Sequence, residues 1–315
     1  MNADLTLYRS NTFNQTFYVD ASASSGYKSN IVQTGNIQNQ GIELALGYSD
    51  TWDKWSFSTN LTYTLNQNKI ISLANGAVNP ETGEEIKMDY YSKGTLGIGG
   101  GPTIRLTEGG TMGDLYINQR LRQSNNGYIW SDPISGSLAI ENTDYRKIGS
   151  ILPKYHLGWN GTVGWNGLSL YVAIQARVGG IVVSDTQAYL DKYGVSEASA
   201  IARDNGLVDL GNDVKVAPQE YYDKISSMIG TYYTYSATNV RLSELSLSYT
   251  LPKKWFKDKV GMTIGLQGRN LFMIYCKAPF DPESTASVTS NFYQGVDYFQ
   301  QPSQRNLGFN VKLSF

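Results

Sequence analysis

Long runs in which apolar and polar residues alternate are the feature that most constrains how this chain can fold. The clearest run closes the sequence, where small or polar residues alternate with Leu307, Phe309, Val311, Leu313 and Phe315. Successive side chains of a β-strand point to opposite faces, so this run predicts a strand with one apolar and one polar face. The same pattern recurs over 41–49, 54–68, 155–165, 168–178 and 260–267.

Two fold classes produce such alternation, a soluble sandwich and a transmembrane barrel. The runs are about 10 residues long or longer, close to the length of a barrel span, whereas soluble strands average about 5–6 residues. Only 17% of the 315 residues are charged, against about 25% in soluble domains. No stretch approaches the roughly 18 apolar residues that a membrane helix needs. We therefore predict an all-β fold, an antiparallel transmembrane β-barrel.

The composition also narrows the range of functions. A net charge of −1 argues against binding to nucleic acid, which requires a basic face. The single cysteine, Cys276, cannot form a disulfide within the chain, and with the single His156 it leaves little for a metal or cofactor site. No grouping of a nucleophile with a base stands out, so we expect no enzyme activity. No signal peptide precedes the first run; because a barrel protein must be exported, we expect an upstream portion outside this chain.

The connections between runs are either very short or very long. Short turns are predicted at 50–53, 166–167 and 252–259, and long segments at 69–92, 124–153, 179–239 and 274–304. Outer-membrane barrels have short periplasmic turns and long outer loops, so we expect all the short turns on the periplasmic side. Ten strands are predicted, at about 3–19, 36–50, 54–68, 93–106, 113–123, 154–165, 168–178, 240–251, 260–273 and 305–315.

The alternation changes phase within 240–251. Val240 and Leu242 lie on one face of the predicted strand, whereas Leu245 and Leu247 lie on the other. Either the strand leaves the bilayer at this point, or an extra residue forms a β-bulge.

Several blocks of sequence resemble the closing segment of SusC/RagA-type TonB-dependent transporters. They are NVRLSELSLSYTLP at 239–252, QGRNLF at 267–272, APFDPE at 278–283, GVDY at 295–298, QP at 301–302 and the terminal Phe315. Further upstream, GNIQNQGIEL at 35–44 looks like a strand motif of the same family, and LPK at 152–154 is a weaker match. The blocks are specific in this order, and the resemblance spans nearly the whole chain.

The resemblance implies a barrel of about 22 strands with a plugged lumen. Residues 1–315 would supply about ten C-terminal strands of it, and the plug and N-terminal domains would lie outside this chain. The implied function is active import of a large nutrient, an oligosaccharide or a peptide, across the bacterial outer membrane. The implied partners are a SusD-like surface lipoprotein, the N-terminal barrel and plug portion of the same transporter, the TonB complex acting through that plug, and outer-membrane lipid.

Aromatic residues in the long loops are candidate contacts for substrate or partner, because flat rings stack on sugars and peptide side chains. They are Trp130, Tyr221, Tyr222, Tyr232, Tyr233, Tyr235, Phe292 and Tyr293. Alternatively, these residues pack the loops together, form the outer girdle or contact the lipoprotein.

Polar residues on the inner face are expected to line the lumen or contact the plug, namely Asn60, Thr62, His156, Asn160 and Gln175. Phe315 is expected to matter for assembly, since barrels of this kind present a terminal aromatic strand to the insertion machinery.

Two other functions remain open for a barrel of this kind. One is a passive outer-membrane porin. The other is a structural or adhesive barrel domain, which would lack the blocks at 239–252 and 267–272. A plug domain and a TonB box encoded directly upstream of Met1 would decide for active import.

Overall fold

The structure is a computed structural model that describes residues 1–20, 29–74, 76, 78, 83–85, 87–97, 99–257, 259–286 and 293–315. Strands dominate the described part. In chain order they are β1 (Asn2–Asp20), β2 (Ser29–Trp52), β3 (Trp55–Ser72), β4 (Tyr90–Thr95), β5 (Thr103–Thr107), β6 (Asp114–Leu121), β7 (Ile140–Ser150), β8 (Tyr155–Trp165), β9 (Leu168–Val178), β10 (Ile181–Ser184), β11 (Val208–Asp209), β12 (Lys215–Val216), β13 (Thr234–Ser236), β14 (Asn239–Thr250), β15 (Gly261–Cys276), β16 (Val296–Asp297) and β17 (Asn306–Ser314).

The helices in the described part are short. They are α1 (Asp185–Lys192), α2 (Glu197–Asp204), α3 (Pro218–Ser226) and α4 (Ile229–Tyr232), with 3-10 turns at Lys253–Phe256 and Tyr293–Gly295. Within the described residues, no helix has the length and apolarity needed to cross a membrane.

Eight long strands form one antiparallel sheet, which we call the wall sheet. Its order is β1-β2-β3-β8-β9-β14-β15-β17. The two tightest turns join neighbours at the same end of this sheet. Trp52 pairs with Trp55 around one two-residue turn, and Trp165 pairs with Leu168 around Asn166-Gly167. Asn166 and Gly167 both have positive φ, +47° and +89°, as the predicted Asn-Gly hairpin turn requires.

The wall sheet separates apolar from polar side chains, as the alternation predicts. Register places Phe57, Val163, Leu170, Leu247, Leu266 and Phe309 in one row across six neighbouring strands. Most of these side chains are exposed, and Leu266 is 61% exposed. The adjacent row on the opposite face is Ser58, Thr162, Tyr171, Ser246, Gln267 and Gly308. The exposed apolar face is suited to lipid, and the other face to water or protein.

The phase change within β14 is a β-bulge. The register of β14 shifts between Leu242 and Glu244 against both of its neighbours. The intervening Ser243 donates a hydrogen bond from its hydroxyl to the carbonyl oxygen of Ala173, at 3.0 Å. The extra residue therefore returns Leu242 and Leu245 to the same apolar face, and the bulge interpretation is confirmed.

Two of the ten predicted strands do not belong to the wall sheet, so their predicted placement is wrong. Residues 93–106 and 113–123 contribute to β4, β5 and β6, which pair with β7 in a separate sheet of order β4-β5-β6-β7. Strand β7 lies inside the predicted long segment 124–153. The Gly-rich stretch at 99–101 lies where β4 turns back into β5, and the amide of Leu96 bonds the carbonyl of Pro102 at 2.7 Å. These strands alternate because one face packs on a core, which a soluble sheet does as well as a barrel.

The long connections fold into a packed layer at the end of the wall sheet opposite the tight turns. This loop layer comprises the described residues of 73–154, 179–238 and 277–305, and it contains the four-stranded sheet, a small sheet of order β13-β10-β16, the β11–β12 hairpin and the four α-helices. Its hydrophobic core includes Leu106, Leu115, Val183, Met228 and Val296, each at most 1% exposed. The main buried core of the described residues therefore lies in the loop layer.

Candidate functional site

The five predicted lumen residues lie together on the polar face of the wall sheet. Asn60 on β3 donates a side-chain hydrogen bond to Asn160 on β8, at 3.2 Å. The hydroxyl of Thr62 donates to the carbonyl oxygen of Gly158, at 3.3 Å. Gln175 is the register partner of Gly158 on β9, and His156 lies opposite Thr64. The register thus joins residues that are 100 positions apart in sequence into one polar surface.

A segment of the loop layer folds back onto this polar face and is held there by Arg241. The guanidinium of Arg241 donates to both carboxylate oxygens of Asp281, at 3.1 and 2.8 Å. It also forms an ion pair with Glu283 at 3.0 Å. The side chains of Arg241 and Asp281 are only 11% and 9% exposed, so this two-point contact is shielded from water.

Neighbouring groups complete the contact. Asn239 is buried and donates from its side-chain amide to Glu283, at 3.3 Å, while its oxygen accepts from Arg241. Burial alone would raise the pKa of Asp281, but hydrogen bonds from the Arg241 guanidinium and from the Glu283 backbone amide outweigh it, and the pKa of Asp281 lies below its ordinary value. The carboxylate therefore stays ionised at neutral pH, and the segment 278–283 is fixed by charge.

No sequence pattern predicts the contact of Arg241 with Asp281 and Glu283. These residues lie in two of the blocks that carry the family resemblance, 239–252 and 278–283. Charge gave no signal, because Arg241 and Glu244 balance each other within 239–252. What the sequence lacked was the register that brings the blocks together.

The five loop tyrosines lie inside the loop layer. Tyr233 is 2% exposed, and Tyr221, Tyr222, Tyr232 and Tyr235 pack against the same core. Burial raises the pKa of Tyr235 to about 12 and also raises the pKa of Tyr233. Tyr232 accepts a hydrogen bond on its hydroxyl from the backbone amide of Leu121, at 3.3 Å. This placement favours loop packing as the role of Tyr233.

The other predicted site residues lie apart from this cluster. Trp130 is half-buried, with the Arg122 guanidinium 4.6 Å from its ring centroid. Tyr293 begins a 3-10 turn, and Phe292 lies outside the described residues. Phe315 directly follows β17 and is 97% exposed. Within the described part of the chain, no group of three or more His, Cys, Asp or Glu side chains is arranged to hold a metal ion.

Sequence relatives of the chain are TonB-dependent receptors. No protein-family model matches the chain. The TonB-dependent receptor P3 of Formosa agariphila is 24% identical over 92% of this chain and 30% of its own length. The TonB-dependent receptor P26 of the same organism is 22% identical over 99% of this chain and 32% of its own length. The chain thus spans about a third of the curated relatives that it matches.

Solved structures of the RagAB peptide importer share this fold. The importer in its "closed-closed" state superposes with a TM-score of 0.67 at 20% identity, covering 99% of this chain and 33% of the matched chain. The "open-open" state gives a TM-score of 0.65, also at 20% identity, over 99% of this chain and 32% of the matched chain. At this identity the superposition establishes the fold. Together with the sequence relatives, it confirms the resemblance predicted from the motifs, to the C-terminal barrel portion of SusC/RagA-type TonB-dependent transporters.

Proposed function

We propose that this chain supplies barrel wall and extracellular loops to a TonB-dependent importer of the bacterial outer membrane. The two-faced wall sheet, capped by a packed loop layer, is the observation that carries the proposal. An apolar outer face suits lipid, and a polar inner face suits a filled lumen. The imported nutrient is an oligosaccharide or a peptide, taken up with a SusD-like surface lipoprotein. Two findings support this proposal. The matched structures are of a peptide importer, and the sequence relatives are TonB-dependent receptors.

The wall sheet needs further strands to act in this way. Within the described residues, β1 pairs only with β2 and β17 only with β15. In a bilayer, each unpaired backbone N–H or C=O on these two edges would cost several kcal/mol. We infer that the N-terminal barrel portion of the same transporter pairs with both edges. Its plug would then contact the polar face of Asn60, Thr62, His156, Asn160 and Gln175, and the TonB complex would act on that plug.

The orientation follows from the lengths of the connections. The tight turn at Asn166-Gly167 lies at the end opposite the loop layer, so we place it in the periplasm and the loop layer outside the cell. Cysteines introduced one at a time at Asn166 and at the exposed Asn205, in a transporter whose Cys276 is replaced by serine, test this placement. A membrane-impermeant maleimide applied to intact cells should label position 205 and not 166. The reverse pattern would overturn the orientation.

Uptake assays test the function itself. Cells that produce the complete transporter and its lipoprotein partner are given labelled oligosaccharides and labelled peptides, with and without an intact TonB complex. We expect uptake of one substrate class, abolished when TonB is removed. Flux that persists without TonB would favour a passive porin, and absence of any uptake would favour a structural or adhesive barrel.

A further inference from the structure

The outer face of the four-stranded sheet holds an arginine between aromatic rings. The guanidinium carbon of Arg105 on β5 lies 3.6 Å from the ring centroid of Tyr90 and 4.2 Å from that of Tyr145. The ring of Tyr116 lies 5.8 Å away. The neighbouring residues of β5, Ile104 and Leu106, are buried in the core. Alternation along β5 therefore directs Arg105 away from the core of the loop layer.

Stacking occupies the faces of the guanidinium, and its N–H donors point outward along its edge. The guanidinium of Arg105 forms no hydrogen bond and no ion pair with any residue of the described part of the chain. The rings beside it remain open to solvent, with Tyr90 49% and Tyr145 45% exposed. The guanidinium N–H donors lie in its plane in a rigid fork, which matches the two oxygens of a carboxylate. The rings thus hold the fork in one orientation before any ligand arrives.

Two of the other cations in this sheet are already paired with carboxylates. Lys147 on β7 pairs with the buried Asp114, at 2.5 Å. Arg120 on β6 pairs with Glu141, at 2.6 Å. Arg105 therefore contributes positive charge that the described residues do not balance. An arginine that lies between tyrosine rings on the loop layer, with no carboxylate partner among the described residues, is suited to bind an anionic ligand.

We propose that Arg105, Tyr90 and Tyr145 form a carboxylate-binding site that selects acidic substrates. This proposal rests on the import function proposed above and narrows its substrate class. The carboxylate fits the fork of Arg105, and the exposed ring surfaces contact the sugar or side chain that carries it. Its source is either a uronic acid of an oligosaccharide or an acidic side chain of a peptide.

Calorimetry on the complete transporter with its lipoprotein partner, in detergent, tests the proposal. The probes are pentagalacturonate against galactopentaose, and Gly-Glu-Gly-Glu-Gly against its glutamine counterpart. We expect one acidic probe to bind at least about tenfold more tightly than its neutral match, the effect of a charge-assisted bidentate contact. The member of the pair that shows the preference identifies the source of the carboxylate.

Variants assign the preference to Arg105. Arg105→Gln should remove it, and Arg105→Lys should restore it only in part, because a lysine keeps the charge and loses the fork. Tyr145→Leu should reduce it, because the plane of the guanidinium is then held from one side. Arg120→Gln, in the same sheet but with its own acidic partner, should leave the preference unchanged.

The outcomes separate this proposal from the import function. A wild-type protein without preference for either acidic probe, or an Arg105→Gln variant that retains the preference, overturns the carboxylate site. In both cases TonB-dependent uptake of a neutral substrate leaves the import function intact. Absence of TonB-dependent uptake of every substrate would instead overturn the import function.

Discussion

Arg241 is the residue on which the inward fold of segment 278–283 depends. Its partner Asp281 is 9% exposed, so Arg241→Gln leaves a buried carboxylate without its counter-ion. Breaking a buried pair in this way costs about 3–5 kcal/mol. We expect faster hydrogen exchange and proteolysis across 278–286 in the purified transporter. The matched control is Arg269→Gln, because the pair of Arg269 with Glu244 has an arginine that is 63% exposed and should cost about 0–1 kcal/mol.

The same contact predicts a dependence on pH. The pKa of folded Asp281 lies below its ordinary value of 3.8, so the folded state favours the ionised carboxylate. The stabilisation is therefore complete above the ordinary pKa and is lost as pH falls through the folded pKa. The protease sensitivity of segment 278–286 in the wild type should therefore begin to rise below about pH 4 and increase further as pH falls. Equal sensitivity at pH 7 and pH 3 would contradict the role of this ion pair.

At the scale of elements, the turn between β8 and β9 requires a glycine at position 167. A Cβ on Gly167 would lie 2.7 Å from the carbonyl oxygen of Thr250, at φ +89°. Gly127 has a similar φ of +84°, but nothing lies within 4 Å of its added Cβ. Gly127→Ala should therefore lower the free energy of unfolding by the backbone strain alone, about 1–3 kcal/mol. Gly167→Ala should lower it clearly more, because the clash is added to the strain. Equilibrium unfolding in detergent measures the stability of both variants. Equal losses of stability would show that the structure relieves the clash at position 167.

The wall strands could be predicted from sequence, and the loop layer could not. In runs such as 54–68 and 168–178, one face of the strand must meet lipid and the other the lumen. An alternation with a period of two is therefore enough to predict these strands. The short strands β4, β5 and β6 obey the same period for a different reason, packing on a core, and were wrongly assigned to the wall. The α-helices are at most nine residues long, too short for a clear helical period to emerge.

The candidate site, too, could be predicted in the wall sheet and not in the loop layer. The alternation placed Asn60, Thr62, His156, Asn160 and Gln175 on one face, where the structure has them. It gave no indication that Tyr233 is buried or that Arg241 contacts Asp281. Those contacts join residues that are far apart in sequence, and local patterns carry no information about such pairs.

For the whole molecule, we expect that 1–315 alone cannot form a pore. The wall sheet of the described residues has eight strands and two unpaired edges, and barrel diameter grows with strand number. Expression of 1–315 by itself should give no heat-modifiable monomer with single-channel conductance. Co-expression with the remaining part of the transporter should restore a heat-modifiable complex. A stable small pore from 1–315 alone would contradict the proposed import function.

Assembly should also depend on the end of β17. Phe315 is 97% exposed and continues the apolar face of Leu313 and Val311. Deleting Phe315 from the complete transporter should lower the membrane-inserted fraction in a heat-modifiability gel. Ser314→Ala, on the opposite face of the same strand, should leave that fraction unchanged. Normal insertion without Phe315 would rule out this role.

The core of the loop layer bears on the register in which the wall strands pair. A slip of two residues between wall strands, about 7 Å, keeps every side chain on its correct face. Lipid therefore cannot distinguish the slipped wall from the native one. The core residues Leu115, Val183, Met228 and Val296 come from segments that different wall strands position, so the same slip pulls them out of contact. The loop-layer core therefore forms only when the wall strands are in the native register.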